Sequence, residues 1–398
     1  MVISTRAPVL ERAAPRSQLE ETFVKLSRAG VAVMSVTAAS TLVLGACSSN
    51  ADKGGGSAGQ SAASAVKSTE CTGKKSLNAS GSTAQANAMK VFNSSFAKTC
   101  PGSELKYGGG GSGQGVSDFT KGLTDFGGSD SPLKDTEAPQ AQQRCASPAW
   151  HLPLVFGPIA IAYNLDGVGD LALSGPTLSK IFSGEITKWN DPAIAAENQG
   201  KNLPDLAISV LYRGDESGTT DNFQKYLTAA GGWTKGAGKK FNGGVGEGKQ
   251  GNPGVGAAVT PTKGAIAYVE WAYAKSNNLK MAKVITDQDK SGVELNAESG
   301  GKTIASAKLK NGDASHDMVI DTSSFYKPTE AGAYPIVLAT YEIVCSKYAD
   351  QQTAQGVQTF LSVASAPQNQ GTDLQNAGYI PLPDAFQTKL QDAIKAIQ

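Results

Sequence analysis

From Lys75 onward, short apolar runs alternate with amphipathic stretches, a pattern that predicts βα units and a largely parallel sheet. Residues 77–82 read as a strand. Residues 84–98 read as a helix, with Ala88, Met89, Phe92 and Phe96 at spacings of three and four. Residues 105–107 give a second strand and residues 116–123 a second helix, and the unit then repeats once more. Further on, residues 155–164 form a long apolar strand and residues 208–212 another, followed by a Gly-rich turn and a helix running from Thr219 through Phe223 to Leu227. Residues 264–274 begin strand-like, with Ile266, Tyr268 and Val269. The last helix places Phe386, Leu390, Ile394 and Ile397 on one face, so it docks on a core.

Ahead of this region the pattern is different. Residues 30–45 are apolar and rich in small side chains, follow Lys25 and Arg28, and are too short to span a membrane comfortably. They close on Leu44-Gly45-Ala46-Cys47, which resembles the bacterial lipobox, in which the cysteine is acylated and becomes the first residue of the mature protein. Residues 1–46 are therefore expected to be a signal peptide and Cys47 a lipidation site; the alternative is a short buried helix followed by a free cysteine. Residues 47–69, with Gly54-Gly55-Gly56-Ser57, hold too few apolar side chains to fold and suit a flexible tether.

The length of 398 residues allows two domains beyond that leader. The charge is balanced, with 36 Lys and Arg against 35 Asp and Glu, which removes the basic footprint that nucleic-acid binding needs. Only His151 and His316 are available as imidazoles, and no Cys-x-x-Cys pair occurs, so no metal or other cofactor is expected. Setting Cys47 aside leaves Cys71, Cys100, Cys145 and Cys345, an even number that suggests disulfides in an exported chain. Three pairings are possible. Cys71 enters the first strand and Cys100 follows the first helix, and both ends of such a unit fall at one edge of the sheet. That favours 71–100 with 145–345, the alternative being buried thiols.

Three loops share one character: Ser80-Gly81-Ser82-Thr83, the run from Gly108 to Gly113 containing Ser112, and Gly214-Asp215-Glu216-Ser217-Gly218-Thr219. Each lies where a strand gives way to a helix, where unpaired N–H groups and the helix dipole attract anions. Any one of them alone reads as an ordinary turn and N-cap. Arg213 precedes the third loop, where its fork suits two oxygens of a tetrahedral oxyanion. Asp215, two residues on, is placed to orient it; the alternative is an exposed ion pair contributing little. Asp130, in Asp125-Phe126-Gly127-Gly128-Ser129-Asp130, looks out of place beside an anion, since like charges repel. It fits if the ligand keeps a proton, as phosphate does and sulfate does not, so that Asp130 admits one and repels the other.

These residues lie in stretches that resemble the phosphate-binding receptors of Pst-type ABC transporters, within the periplasmic substrate-binding proteins. The resemblance runs over about residues 77–383 and rests on Thr124-Asp125-Phe126-Gly127-Gly128-Ser129-Asp130-Ser131-Pro132-Leu133, Tyr212-Arg213-Gly214-Asp215-Glu216-Ser217-Gly218-Thr219-Thr220 and Gly264-Ala265-Ile266-Ala267-Tyr268-Val269-Glu270. Ile181-Phe182-Ser183-Gly184-Glu185-Ile186-Thr187-Lys188-Trp189 is a further landmark. It implies an α/β fold of the two-lobed periplasmic-binding-protein type II, each lobe a mainly parallel sheet flanked by helices, joined by two hinge crossovers near residues 154–157 and 334–336. One lobe is then residues 70–155 plus 336–398 and the other residues 156–335.

By the same resemblance Thr83 binds phosphate through its hydroxyl and N–H, Ala84 through its N–H, and Ser112 from the second loop. Asp130 accepts the phosphate proton, and Arg213, Ser217, Gly218 and Thr219 donate from the other lobe, with Ser82 and Asp215 supporting. The implied protein is an exported monomer anchored by lipid on the outer face of the cytoplasmic membrane. It closes around inorganic phosphate, passes it to a permease with a cytoplasmic ATPase, and catalyses nothing. A phosphatase lacks an activated nucleophile or a metal cluster here; receptors for sulfate, molybdate or phosphonates, and an adhesive or signalling surface protein, are the remaining readings.

Overall fold

The computed structural model describes residues 70–398, so the signal peptide, Cys47 and the tether expected in residues 1–69 lie outside the described residues. Three βα units come first: β1 (Ser76–Gly81), α1 (Ala86–Thr99), β2 (Glu104–Gly108), α2 (Ser112–Thr120), β3 (Phe126–Ser129) and α3 (Ala138–Cys145). The long strand β4 (Ala149–Tyr163) leads to β5 (Ala172–Ser174), α4 (Gly175–Ser183) and α5 (Pro192–Glu197). Then come β6 (Ser209–Arg213), α6 (Gly218–Ala230), β7 (Glu247–Lys249), α7 (Gly251–Val259), β8 (Ala265–Glu270) and α8 (Trp271–Ser276). Short pieces follow: β9 (Lys280–Met281), β10 (Lys283–Ile285), α9 (Ala297–Ala305), β11 (Lys308–Leu309) and β12 (Ile320–Asp321). The chain ends with β13 (Val337–Cys345), α10 (Gln351–Ala364), α11 (Thr372–Asn376) and α12 (Asp384–Lys395).

One nine-stranded sheet runs through the molecule in the order β2-β1-β3-β13-β4-β8-β6-β7, with β9 also on β4. The outer strands are parallel, β1 with β2 and β3, and β6 with β7 and β8, as helical crossovers require. The middle is antiparallel: β13 lies between β3 and β4, and β4 runs against β8. β4 changes partner along its length, taking β13 over its first part and β8 from Ile159 onward. Its register against β13 slips between Thr340 and Tyr341, which face Val155 and Pro153, so Leu154 bulges out. Pro153, with no N–H to donate, is tolerated in a central strand because it sits at that bulge.

Most elements fall where periodicity placed them. Ala88, Met89, Phe92 and Phe96 are the buried face of α1, and Phe386, Leu390 and Ile394 that of α12. The second helix departs from expectation: it occupies Ser112–Thr120 rather than residues 116–123, and Leu123 is exposed. Gly111, at φ 99°, makes the turn that starts it early. Gly115 is tolerated inside it because a Cβ there would lie 2.4 Å from the Gly128 oxygen, so only glycine lets α2 lie against the sheet. The disulfides are Cys71–Cys100 and Cys145–Cys345, the pairing that strand and helix placement favoured.

Candidate functional site

The three glycine-bearing loops lie at strand-to-helix junctions: β1 to α1, β2 to α2, and β6 to α6. β1, β2 and β3 are parallel, so their junctions and Asp130 after β3 lie at one edge. The three antiparallel pairings from β3 through β13 and β4 to β8 reverse β6, and because β4 changes partner along its length the C-terminal end of β6 faces theirs. Residues from the two ends of the sheet meet there. The Gly218 N–H, at the start of α6, donates to Ser112 Oγ at 3.1 Å, and the Gly113 N–H donates to the Glu216 carbonyl at 2.9 Å. A Cβ on Gly218 would stand 2.5 Å from Asp130 Cβ, so this approach also needs glycine.

Asp130 is buried beside Ser112, whose Oγ receives the Asp130 N–H at 3.1 Å and lies 3.4 Å from Oδ2. Burial pushes the Asp130 carboxyl up to about 6, while the neighbouring Ser82 hydroxyl, the Arg213 guanidinium, Ser112 and Lys239 hold it from rising further. Oδ1 makes no hydrogen bond among the described residues. A buried acceptor near Arg213 is thus left ready for a donor.

Arg213 and Asp215 form a buried pair, their side chains 1% and 7% exposed, which rules out the weak surface ion pair. Arg213 Nε donates to Asp215 Oδ1 at 2.7 Å and Nη2 to Oδ2, so one edge of the fork is used in orientation. Nη1 points toward Thr219 Oγ1 at 3.4 Å. Burial works against ionisation of Asp215, but Arg213 and the Gly251 N–H outweigh it and hold its carboxyl below the usual carboxylate range. The strand below is fixed by Tyr268, whose hydroxyl accepts the Arg213 N–H at 3.1 Å and bonds Thr220 Oγ1 at 2.7 Å.

The other expected residues are close by, with some of their groups already engaged. The Ala84 N–H donates to Ser82 Oγ at 3.0 Å. Ser217 Oγ caps α6 by accepting the Thr220 N–H at 3.2 Å, and the Ser217 N–H donates to the Lys239 carbonyl at 2.8 Å. Thr83 Oγ1 receives both the backbone N–H and the side-chain amide of Asn252, each at 3.1 Å.

Asn252 was not among the residues expected from the sequence. It opens α7 after β7, a fourth strand-to-helix junction whose Gln250-Gly251-Asn252-Pro253-Gly254 has the glycine character of the other three but no Ser or Thr. Lys239 was also missed. It follows α6 in a glycine-rich loop with no element to mark it, yet its side chain is 1% exposed.

Two further acids are buried near the site. Gln85 Nε2 donates to Glu342 Oε2 at 3.3 Å, and Glu270 Oε2 accepts the Ala272 N–H at 3.0 Å. Glu342 Oε1 and Glu270 Oε1 have no partner among the described residues. Burial first, and the charge of Asp130 after it, pushes both carboxyls well above the usual range.

The periplasmic-binding-protein (PBP) superfamily domain model matches residues 59–366. Phosphate-binding protein PstS 3 of Mycobacterium tuberculosis is 52% identical over 376 residues, covering 94% of this chain and 100% of that protein. The chain belongs to the PstS family of phosphate-binding proteins. A more distant PstS, from Pasteurella multocida, is 37% identical over 73% of this chain and 81% of its own length. Among solved structures, a high-affinity periplasmic phosphate-binding protein with bound phosphate superposes with TM-score 0.66 at 23% identity, over 80% of this chain and 93% of that one. That likeness places the PstS fold seen here, the two-lobed α/β fold of periplasmic binding proteins.

Proposed function

We propose that this protein binds one inorganic phosphate ion at the site formed by Thr83, Ala84, Ser112, Asp130, Arg213, Ser217, Gly218 and Thr219, with Ser82 and Asp215 in support. One observation carries the reading: Asp130, a buried acceptor with an unpartnered oxygen, stands among hydroxyls and a guanidinium. An oxyanion with no proton would meet Asp130 as a repelling charge, whereas one that keeps a proton donates to it. The relatives named for phosphate binding support the same ligand.

The lobes are residues 70–155 plus 336–398 and residues 156–335, and the chain crosses between them near residues 154–157 and 334–336. The Leu154 bulge supports the first crossing, because an interrupted ladder bends more easily than a regular one. Closure by hinge motion brings the Ser112 and Gly218 loops to one anion. The protein is a lipid-anchored monomer, held outside the cytoplasmic membrane through Cys47. It delivers phosphate to an ABC permease with its ATPase and carries out no catalysis of its own.

Calorimetry of residues 68–398 against phosphate and sulfate tests this. One phosphate per chain, little heat from sulfate, and loss of binding in Arg213→Ala are expected. Sulfate binding as tightly as phosphate would remove the role given to Asp130. Release of phosphate from a phosphomonoester by pure protein, lost in Arg213→Ala, would replace the receptor by an enzyme.

A further inference from the structure

Asn252 is fully buried and its amide has one possible orientation. Its Oδ1 accepts the Glu270 N–H at 3.0 Å, and a peptide nitrogen can only donate, so the NH2 group must face the other way. There it donates to Thr83 Oγ1 at 3.1 Å and to Thr219 Oγ1 at 3.3 Å. Thr83 also receives the Asn252 backbone N–H, and Thr219 receives Arg213 Nη1.

A hydroxyl has two lone pairs and one hydrogen. With two N–H groups directed at its oxygen, each threonine has only its hydrogen left to offer. We propose that Asn252 is a positioning residue that turns Thr83 and Thr219 into obligate hydrogen-bond donors, so that they face an oxyanion with hydrogen and never with a lone pair. Ser112 Oγ likewise receives two N–H groups, those of Asp130 and Gly218, without Asn252, and its own hydrogen is directed at Asp130 Oδ2. The two threonines then present donors, with Asp130 Oδ1 as the open acceptor. A neutral amide suits the task because it supplies two directed hydrogens without a charge. It also joins the β1–α1 loop to α6, elements from opposite ends of the sheet.

This inference rests on the phosphate reading, and a double-mutant cycle separates the two. Inorganic phosphate is titrated calorimetrically into the whole chain as wild type, Asn252→Ala, Thr83→Ala/Thr219→Ala and the triple variant, with melting curves to establish that each folds. Asn252→Ala is expected to weaken phosphate binding about 10- to 100-fold, the range of a hydrogen bond to a charged group. On the threonine-less background the same change should add less than about twofold, because the residue acts through hydroxyls no longer there. Thr83→Ser/Thr219→Ser, which keeps both hydroxyls, should restore the large effect.

The isosteric Asn252→Asp gives a second cycle. Its carboxylate accepts where the amide donated, so it should weaken binding more than alanine does, and by less on the threonine-less background. Equal losses on both backgrounds, or an unchanged affinity in Asn252→Ala, would overturn the role of Asn252. A wild type that fails to bind phosphate would overturn the functional reading instead.

Discussion

Lys239 donates to both carboxylate oxygens of Glu137 at 3.1 Å, and this pair ties the segment after α6 to the residue that precedes α3. The lysine is buried and the glutamate 20% exposed, so solvent reaches the pair from one side only. The Lys239 carbonyl meanwhile holds the Ser217 N–H, at the loop that opens α6.

Removing one partner of such a pair leaves a charge buried without compensation, which costs about 3–5 kcal/mol when the pair is fully buried and less here. Glu137→Gln is expected to lower the melting temperature and to speed phosphate release. Stopped-flow release rates check it, and a rate equal to wild type would show that the pair does not hold the closed form.

Asp130 titrates near 6 in the folded chain, above its unfolded value. The charged groups acting on it are Arg213 and Lys239, and it in turn acts on Glu270 and Glu342. In the proposed role it is, above about pH 6, a charged acceptor that would repel sulfate; below, its own proton would make it a donor. Discrimination of phosphate over sulfate should therefore narrow as pH falls through about 6, and Asp130→Asn should show the narrow ratio at every pH. Competition binding from pH 5 to 8 measures this.

Glu270 and Glu342 carry folded-state values raised above the ordinary 4.5. The folded state binds their protons more tightly than the unfolded one, so the stability they contribute is complete below the unfolded value. It is drawn down as pH rises toward and through the folded values. The double change Glu270→Gln/Glu342→Gln removes that loss. The melting temperature of the variant should fall less between about pH 5 and pH 8 than that of wild type.

The Cys145–Cys345 bond closes a loop across 200 residues, joining the end of α3 to the end of β13. A disulfide typically stabilises a fold by about 2–4 kcal/mol, and in the chain-entropy view a loop this long lies above that range, at about 5 kcal/mol. Cys145→Ser/Cys345→Ser is expected to lower the melting temperature by several degrees while one phosphate per chain still binds, since neither cysteine is among the residues placed at the site.

Residue pattern was enough for α1 and α12, because their apolar residues recur at helical spacing and that spacing is local. It misplaced α2, where Ser112-Gly113-Gln114-Gly115 looks like loop to any propensity argument and is helical because Gly115 allows close contact with Gly128. It marked Arg213, Asp130 and Ser112 through the chemistry an anion demands. Asn252 escaped because asparagine opening a helix reads as ordinary, and only its contacts to Thr83 and Thr219 distinguish it.

By itself, then, the chain order determined which residue types stand at each strand-to-helix junction, and with them an anion as the ligand class, since backbone amides, hydroxyls and a guanidinium attract negative charge wherever they gather. Which hydroxyl is held by which nitrogen, and that Asp130, Glu270 and Glu342 are dry, were decided by tertiary structure alone. Hydrogen-bond direction and desolvation depend on distances between segments more than 100 residues apart, as between Ser112 Oγ and the Gly218 N–H, and no local pattern encodes them.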